Sequence, residues 1–97
     1  MRVTAYPPYR RMIEAESLDV DLPDGARVRD LLGRLGERHP PFRAFAAAPS
    51  DEFLWGQLIV HVNDEIAGLD TSLQSSDRID LLPPIAGGSS STAPARR

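Results

Sequence analysis

"SLDVDLPDGARVRDLLGRLGERHPP", Ser17–Pro41, changes its hydrophobic period from two to 3.6 across a single turn. Leu18, Val20 and Leu22 alternate with Asp19 and Asp21, the pattern of a strand with one buried face, and Pro23 ends it. Pro23-Asp24-Gly25 is a turn signal. Beyond it Val28, Leu31, Leu32 and Leu35 recur at i, i+3, i+4 and i+7, so they form one stripe of a helix, with Arg27, Arg29, Arg34 and Glu37 opposite. Asp30 falls in the first turn, where a negative charge suits the helix dipole, and Pro40-Pro41 stops the helix. Gly33 and Gly36 inside it each cost about 1 kcal/mol against Ala, so this helix depends on packing rather than propensity.

Working outward, "RVTAY" (Arg2–Tyr6) reads as a strand and "PPYRR" interrupts it. With Ser17–Leu22 it makes a hairpin joined by a long polar connection. Downstream, "FRAFAAAP" (Phe42–Pro49) supports a helical turn. "SDEFLWG" (Ser50–Gly56) reads as a loop whose Phe53, Leu54 and Trp55 cover a core edge. "QLIVHVNDEIAGL" (Gln57–Leu69) gives a strong strand at Leu58–Val62, a turn at Asn63-Asp64 and a short return strand around Ile66. Arg78–Leu82 is a last strand. From Ala86 onward nothing is periodic, and Ser89–Arg97 has the composition of a disordered tail. The economical solution is an α+β domain over residues 1–85, a small mixed sheet packed on one main helix, followed by a flexible tail over 86–97.

The 97 residues hold one small core, and 41% are hydrophobic. A net charge of −3 leaves no basic face to track phosphates, so no nucleic-acid partner is expected. There is no cysteine, hence no disulfide, thiolate metal site or cysteine nucleophile. No signal-peptide stretch and no run of the roughly 20 apolar residues that a span needs is present, so a cytoplasmic protein with no membrane partner is expected. All 11 basic residues are Arg.

Side chains suited to catalysis are few. His39 precedes Pro40 at the helix end and reads as a surface residue or a dipole partner. His61 lies within a strand, and the two histidines lack the spacing of a metal pair, so no metal is expected. Ser89–Ser91 has nothing beside it to activate a hydroxyl. Asp19 and Asp21 read as a solvated strand face. The chemically suggestive feature is the run Leu81-Leu82-Pro83-Pro84-Ile85-Ala86-Gly87-Gly88. A chain end that must thread a narrow channel favours residues without a Cβ, as at Gly87 and Gly88, while Pro83 and Pro84 stiffen the exit from the sheet.

The words "LPDGARVRDLLGRLGERHP" (Leu22–Pro40), "VNDEI" (Val62–Ile66) and "LDTSLQSSDRIDLLPPIAGG" (Leu69–Gly88) resemble, in this order, the β-grasp sulfur carriers of the MoaD and ThiS type, most closely the small subunit of molybdopterin synthase. Arg27 stands where that family often has a capping Thr, and Asn63-Asp64 where its hairpin often has Asn-Gly. The resemblance implies a ubiquitin-like β-grasp fold and no active site of the chain's own. It implies that a partner activating enzyme uses ATP to adenylate the carboxylate of Gly88. Sulfur then replaces AMP, and the thiocarboxylate passes to a sulfur-accepting synthase. No cofactor is bound by the carrier itself. Pro83, Pro84, Ile85, Ala86 and Gly87 would form the tail that enters the partner, and His61 and Leu82 are candidates for its docking surface. Residues 89–97 lie beyond the working terminus, resembling carriers matured by a metalloprotease that cuts after the second glycine. Two other roles fit the same words: a ubiquitin-like modifier conjugated through Gly88, and a non-covalent β-grasp interaction module. Residues 1–88 carry nine Arg against fourteen acids, a net of −5, which suits steering to a basic partner.

Overall fold

The structure, a computed structural model, describes residues 1–84. The segments that alternate become β1 (Arg2–Ala5), β2 (Ser17–Asp19), β3 (Ile59–Val62), β4 (Glu65–Ile66) and β5 (Arg78–Leu82). They form one sheet in the order β2-β1-β5-β3-β4. The central pair β1–β5 is parallel and every other pair is antiparallel. Alternation along each strand sends Val3, Ala5, Val60, Ile79 and Leu81 inward, each fully buried.

The helical stripe lies on that inner face. α2 spans Val28–Arg38 and buries Val28, Leu31, Leu32 and Leu35 as its spacing predicts. Arg27 offers no acceptor for a cap. Its own backbone N–H donates to Asp30 Oδ2 at 2.9 Å, so the carboxylate three residues into the helix closes the first turn instead. A mixed five-stranded sheet with a parallel central pair, crossed on one face by a single long helix, is the β-grasp, or ubiquitin-like, fold.

Three segments depart from the sequence reading. The connection read as polar contains a helix, α1 (Tyr9–Ile13), which buries Tyr9 and Ile13 one turn apart. Tyr9 packs edge-on to Phe45 at 6.1 Å between centroids and against Phe42 at 6.4 Å. Its hydroxyl donates to the Gln57 carbonyl, and burial pushes the phenol above its ordinary pKa. Two buried positions in five residues are too few to register as a period. After the 3₁₀ turn Pro40–Phe42, the expected helical turn is α3 (Arg43–Ala46). The stretch read as a loop is α4 (Asp51–Trp55). Ser50 Oγ accepts the Phe53 N–H at 3.1 Å and two acids stand in the first turn, so capping makes this helix where periodicity could not show it. Leu54 is fully buried and Trp55 half-buried with its indole N–H on the Ala67 carbonyl, whereas Phe53 points outward. The strand read as Ser17–Leu22 pairs only to Asp19, although Val20 still exchanges hydrogen bonds with Met1.

The turn between β3 and β4 has both Asn63 and Asp64 at positive φ, 52° and 71°. Asn63 tolerates this because its side chain is tied down, accepting from the Arg78 N–H and donating to Asp77 Oδ1, each at 3.0 Å.

The two helix glycines differ. A Cβ on Gly33 meets nothing within 4 Å, whereas one on Gly36 would lie 3.1–3.2 Å from the Arg43 backbone. Gly33→Ala should therefore stabilise the protein by about 0.5–1 kcal/mol in urea unfolding, and Gly36→Ala should destabilise it.

Candidate functional site

Parallel pairing of the first and last strands decides where the chain leaves. Leu81 is the partner of Ala5, and the Tyr6 N–H donates to the Leu81 carbonyl at 3.0 Å. β5 is the middle strand, so the backbone emerges from the centre of one sheet end, beside Tyr6-Pro7-Pro8. Pro83 is exposed and Pro84 half-buried. Neither has an N–H to extend the ladder, so pairing ends at Leu82. Of the predicted tail, Ile85, Ala86, Gly87, Gly88 and Ser89–Arg97 lie outside the described residues.

The sheet face turned away from α2 adjoins that exit. Register places Leu82 opposite Ile59, and His61 between Asp80 and Ile66. Tyr6 follows inward-facing Ala5 and so joins this face. Tyr6 and Ile66 are among the few large apolar side chains left exposed, at 40% and 54%. The face is apolar beside the exit and becomes polar along the strands. Thr4 and Asp80 come next, then Arg2 beside Asp19 at 3.4 Å and Arg78 on Asp64. The Asp64 hydrogen bond and charge hold the Arg78 guanidinium above its ordinary range.

The two predicted surface residues, His61 and Leu82, are thus on one face and half-buried, one ladder step apart rather than side by side. Sequence reading placed this surface on the exposed side of Leu58–Val62 and Arg78–Leu82, which holds Ile59, but missed Tyr6 and Ile66. The signal for Ile59 was present in the alternation: with Val60 inward, Ile59 and His61 must point outward. Phe53 is exposed but sits on α4, away from this register. Among the described residues no group of three or more His, Asp or Glu is arranged to hold a metal, and no helix is long and apolar enough to cross a membrane.

A β-grasp domain that sends its chain out of the sheet centre, beside an exposed apolar face, defines the class of sulfur carriers and ubiquitin-like proteins. Within that class the chain belongs to the ThiS family, whose model matches residues 7–88. No curated protein matches it. Solved structures do. A Pyrococcus furiosus protein described as molybdopterin converting factor, subunit 1, is 26% identical, with a TM-score of 0.70 over 87% of this chain and 95% of that one. SAMP1 of Haloferax volcanii is 26% identical, with a TM-score of 0.70 over 91% and 98%. A chain of the BexX/CysO complex of Amycolatopsis orientalis is 26% identical, with a TM-score of 0.68 over 90% and 98%.

Proposed function

We propose that this protein carries sulfur on the carboxylate of Gly88. The observation that supports it most is where the family match stops: it runs through Leu82-Pro83-Pro84 and ends at the second glycine, with Ser89 and the residues after it outside. The exit geometry agrees, because a terminus leaving from the sheet centre can enter a partner that grips the face beside it. In this reading a protease first frees the Gly88 carboxylate. An activating enzyme transfers AMP from ATP to it, releasing pyrophosphate, and a sulfur donor displaces AMP to leave a thiocarboxylate. Tyr6, Ile59, Ile66 and Leu82 supply the apolar contact, with His61 and Asp80 at its polar margin. A synthase that consumes the thiocarboxylate returns the carrier with its carboxylate restored. The likeness to a molybdopterin converting factor subunit supports a molybdopterin-making synthase as that acceptor. The likeness to SAMP1, a small archaeal modifier protein, supports conjugation to protein amines as the second reading.

The test is the intact mass of the protein isolated from its own cells. The carrier reading expects a chain ending at Gly88 with one oxygen replaced by sulfur. Amide-linked adducts on other proteins would favour the modifier, and only chains continuing past Gly88 would contradict both.

A further inference from the structure

The nine basic residues of 1–88 are all arginine, and the fold accounts for five of them. Arg10 and Arg43 donate through Nε, to the Ala5 carbonyl at 3.2 Å and the Gly36 carbonyl at 3.1 Å, where lysine has a methylene. Arg2 and Arg34 each engage two groups, through Nε and Nη1. Arg29 Nη1 meets the Ala46 and Ala48 carbonyls at 2.9 and 3.1 Å, one bond beyond where a lysine nitrogen would stand. At the other four positions a lysine would serve as well. Arg27 and Arg78 each present a single nitrogen to a carboxylate, Asp70 and Asp64. Arg11 and Arg38 are exposed, and among the described residues neither side chain makes a hydrogen bond or ion pair.

The chain's one primary amine is the Met1 ammonium, which donates to the Val20 carbonyl at 2.9 Å. Arg2 lies beside Arg78 in the parallel pair, so Met1 is at the opposite end of the sheet from the exit after Leu82. The chemistry at Gly88 gives this distribution a consequence. A carboxylate joined to AMP is an acylating agent, and a neutral amine is the side-chain group that would take the acyl group. The amine lone pair would attack the Gly88 carbonyl carbon, the C–N bond would form, the C–O bond to AMP would break, and the amine proton would pass to water. A guanidinium is protonated at every physiological pH and has no lone pair to offer. An amine beside the exit would be the most exposed to this reaction. Six residues lead from Leu82 to Gly88 and span at most about 20 Å, and Arg11 lines a hollow with Pro7 and Pro8, which flank the exit.

We propose that the exclusion of lysine makes this chain inert towards its own activated terminus. The acyl group of Gly88 then passes to sulfur, or to an amine on a different protein, and not to the carrier itself or to a second copy of it. In the modifier reading the same property means that the chain is attached singly and builds no polymer. The inference rests on the reading that Gly88 is activated, and it concerns what the activated group is kept from rather than what receives it.

The experiment takes the chain ending at Gly88, unaltered and as Arg11→Lys and Arg38→Lys, and follows intact mass. In one arm the cognate activating enzyme, ATP and a sulfur source are present, and pyrophosphate release reports activation. In the other, Gly88 is prepared chemically as a mercaptoethanesulfonate thioester, which needs no enzyme. Both variants keep the charge and should melt as the unaltered chain does. The expected result is thiocarboxylate from the unaltered chain with little amide-linked product. Arg11→Lys should divert about tenfold more of its activated ends into amides, cyclised and dimeric, because a tethered group meets an effective concentration in the millimolar range. Arg38→Lys should form dimers, and tandem mass spectrometry should place each new bond on the introduced lysine. Two results would overturn the proposal: lysine variants that yield as much thiocarboxylate as the unaltered chain with no more amide, or unaltered chains that join through Met1 to the same extent. Absence of pyrophosphate in every sample would instead remove the activation reading, and the thioester arm would still decide. Amides confined to the lysine variants there support the inference, and amides in all samples or in none contradict it.

Discussion

Leu82→Asp and Ile59→Arg should each weaken binding of the activating enzyme by about 30-fold or more, and together should abolish it. These side chains face each other across β5 and β3, immediately before the chain leaves the sheet. An apolar contact at the centre of a docking face costs about 2 kcal/mol or more when truncated, and an unpaired charge buried there costs further. His61→Glu, one step along the ladder beside Asp80, should have a smaller effect, about threefold to tenfold, through repulsion between neighbouring acids. Gln74→Arg, a charge change at an exposed residue off this face, is the control and should bind as the unaltered protein does. Surface-plasmon or calorimetric titration measures all four, and melting curves establish that each is folded. Undiminished binding by folded Leu82→Asp and Ile59→Arg would remove this face from the account.

The second large effect is on stability. Leu32 is fully buried on α2, directly over the sheet. Leu32→Ala should cost about 2–5 kcal/mol in urea unfolding, and Phe42→Ala about 3–5 kcal/mol. Phe42 is fully buried and meets Phe45 edge-on at 5.2 Å and Tyr9 at 6.4 Å, so its loss opens a cavity that three segments share. Small domains hold about 5–15 kcal/mol in total, so either variant should be largely unfolded at moderate temperature. Costs below about 1 kcal/mol would mean that the helix is not packed on the sheet as described.

The parts of the fold with a long period were legible in the sequence. Val28, Leu31, Leu32 and Leu35 make the α2 stripe, and the alternation in Leu58–Val62 and Arg78–Leu82 gives two strands at nearly their observed lengths. What escaped was short. α1 and α4 hold five residues each, and their evidence is a pair of buried positions in one and a serine cap in the other. The two hairpins, β1–β2 and β3–β4, were legible, but the pairing of the central strands escaped, because no local pattern shows that β1 lies parallel to β5. That pairing is what brings Tyr6 beside Leu82 and turns two scattered candidates, His61 and Leu82, into part of one face. Gly87 and Gly88 lie outside the described residues, so the role proposed for them rests on their kind and place in the sequence.

The central claim is that Gly88 carries the chemistry and that residues beyond it prevent it. Adenylation requires a free carboxylate, and in the longer chain that group is an amide to Ser89. The direct measurement incubates two proteins, one ending at Gly88 and one continuing to Arg97, with ATP, the cognate activating enzyme and a sulfur source, and reads intact mass. The account predicts an oxygen-to-sulfur gain in the chain ending at Gly88 and no change in the longer one. Equal sulfur incorporation in both would contradict the blocking role, and none in either would contradict sulfur carriage itself.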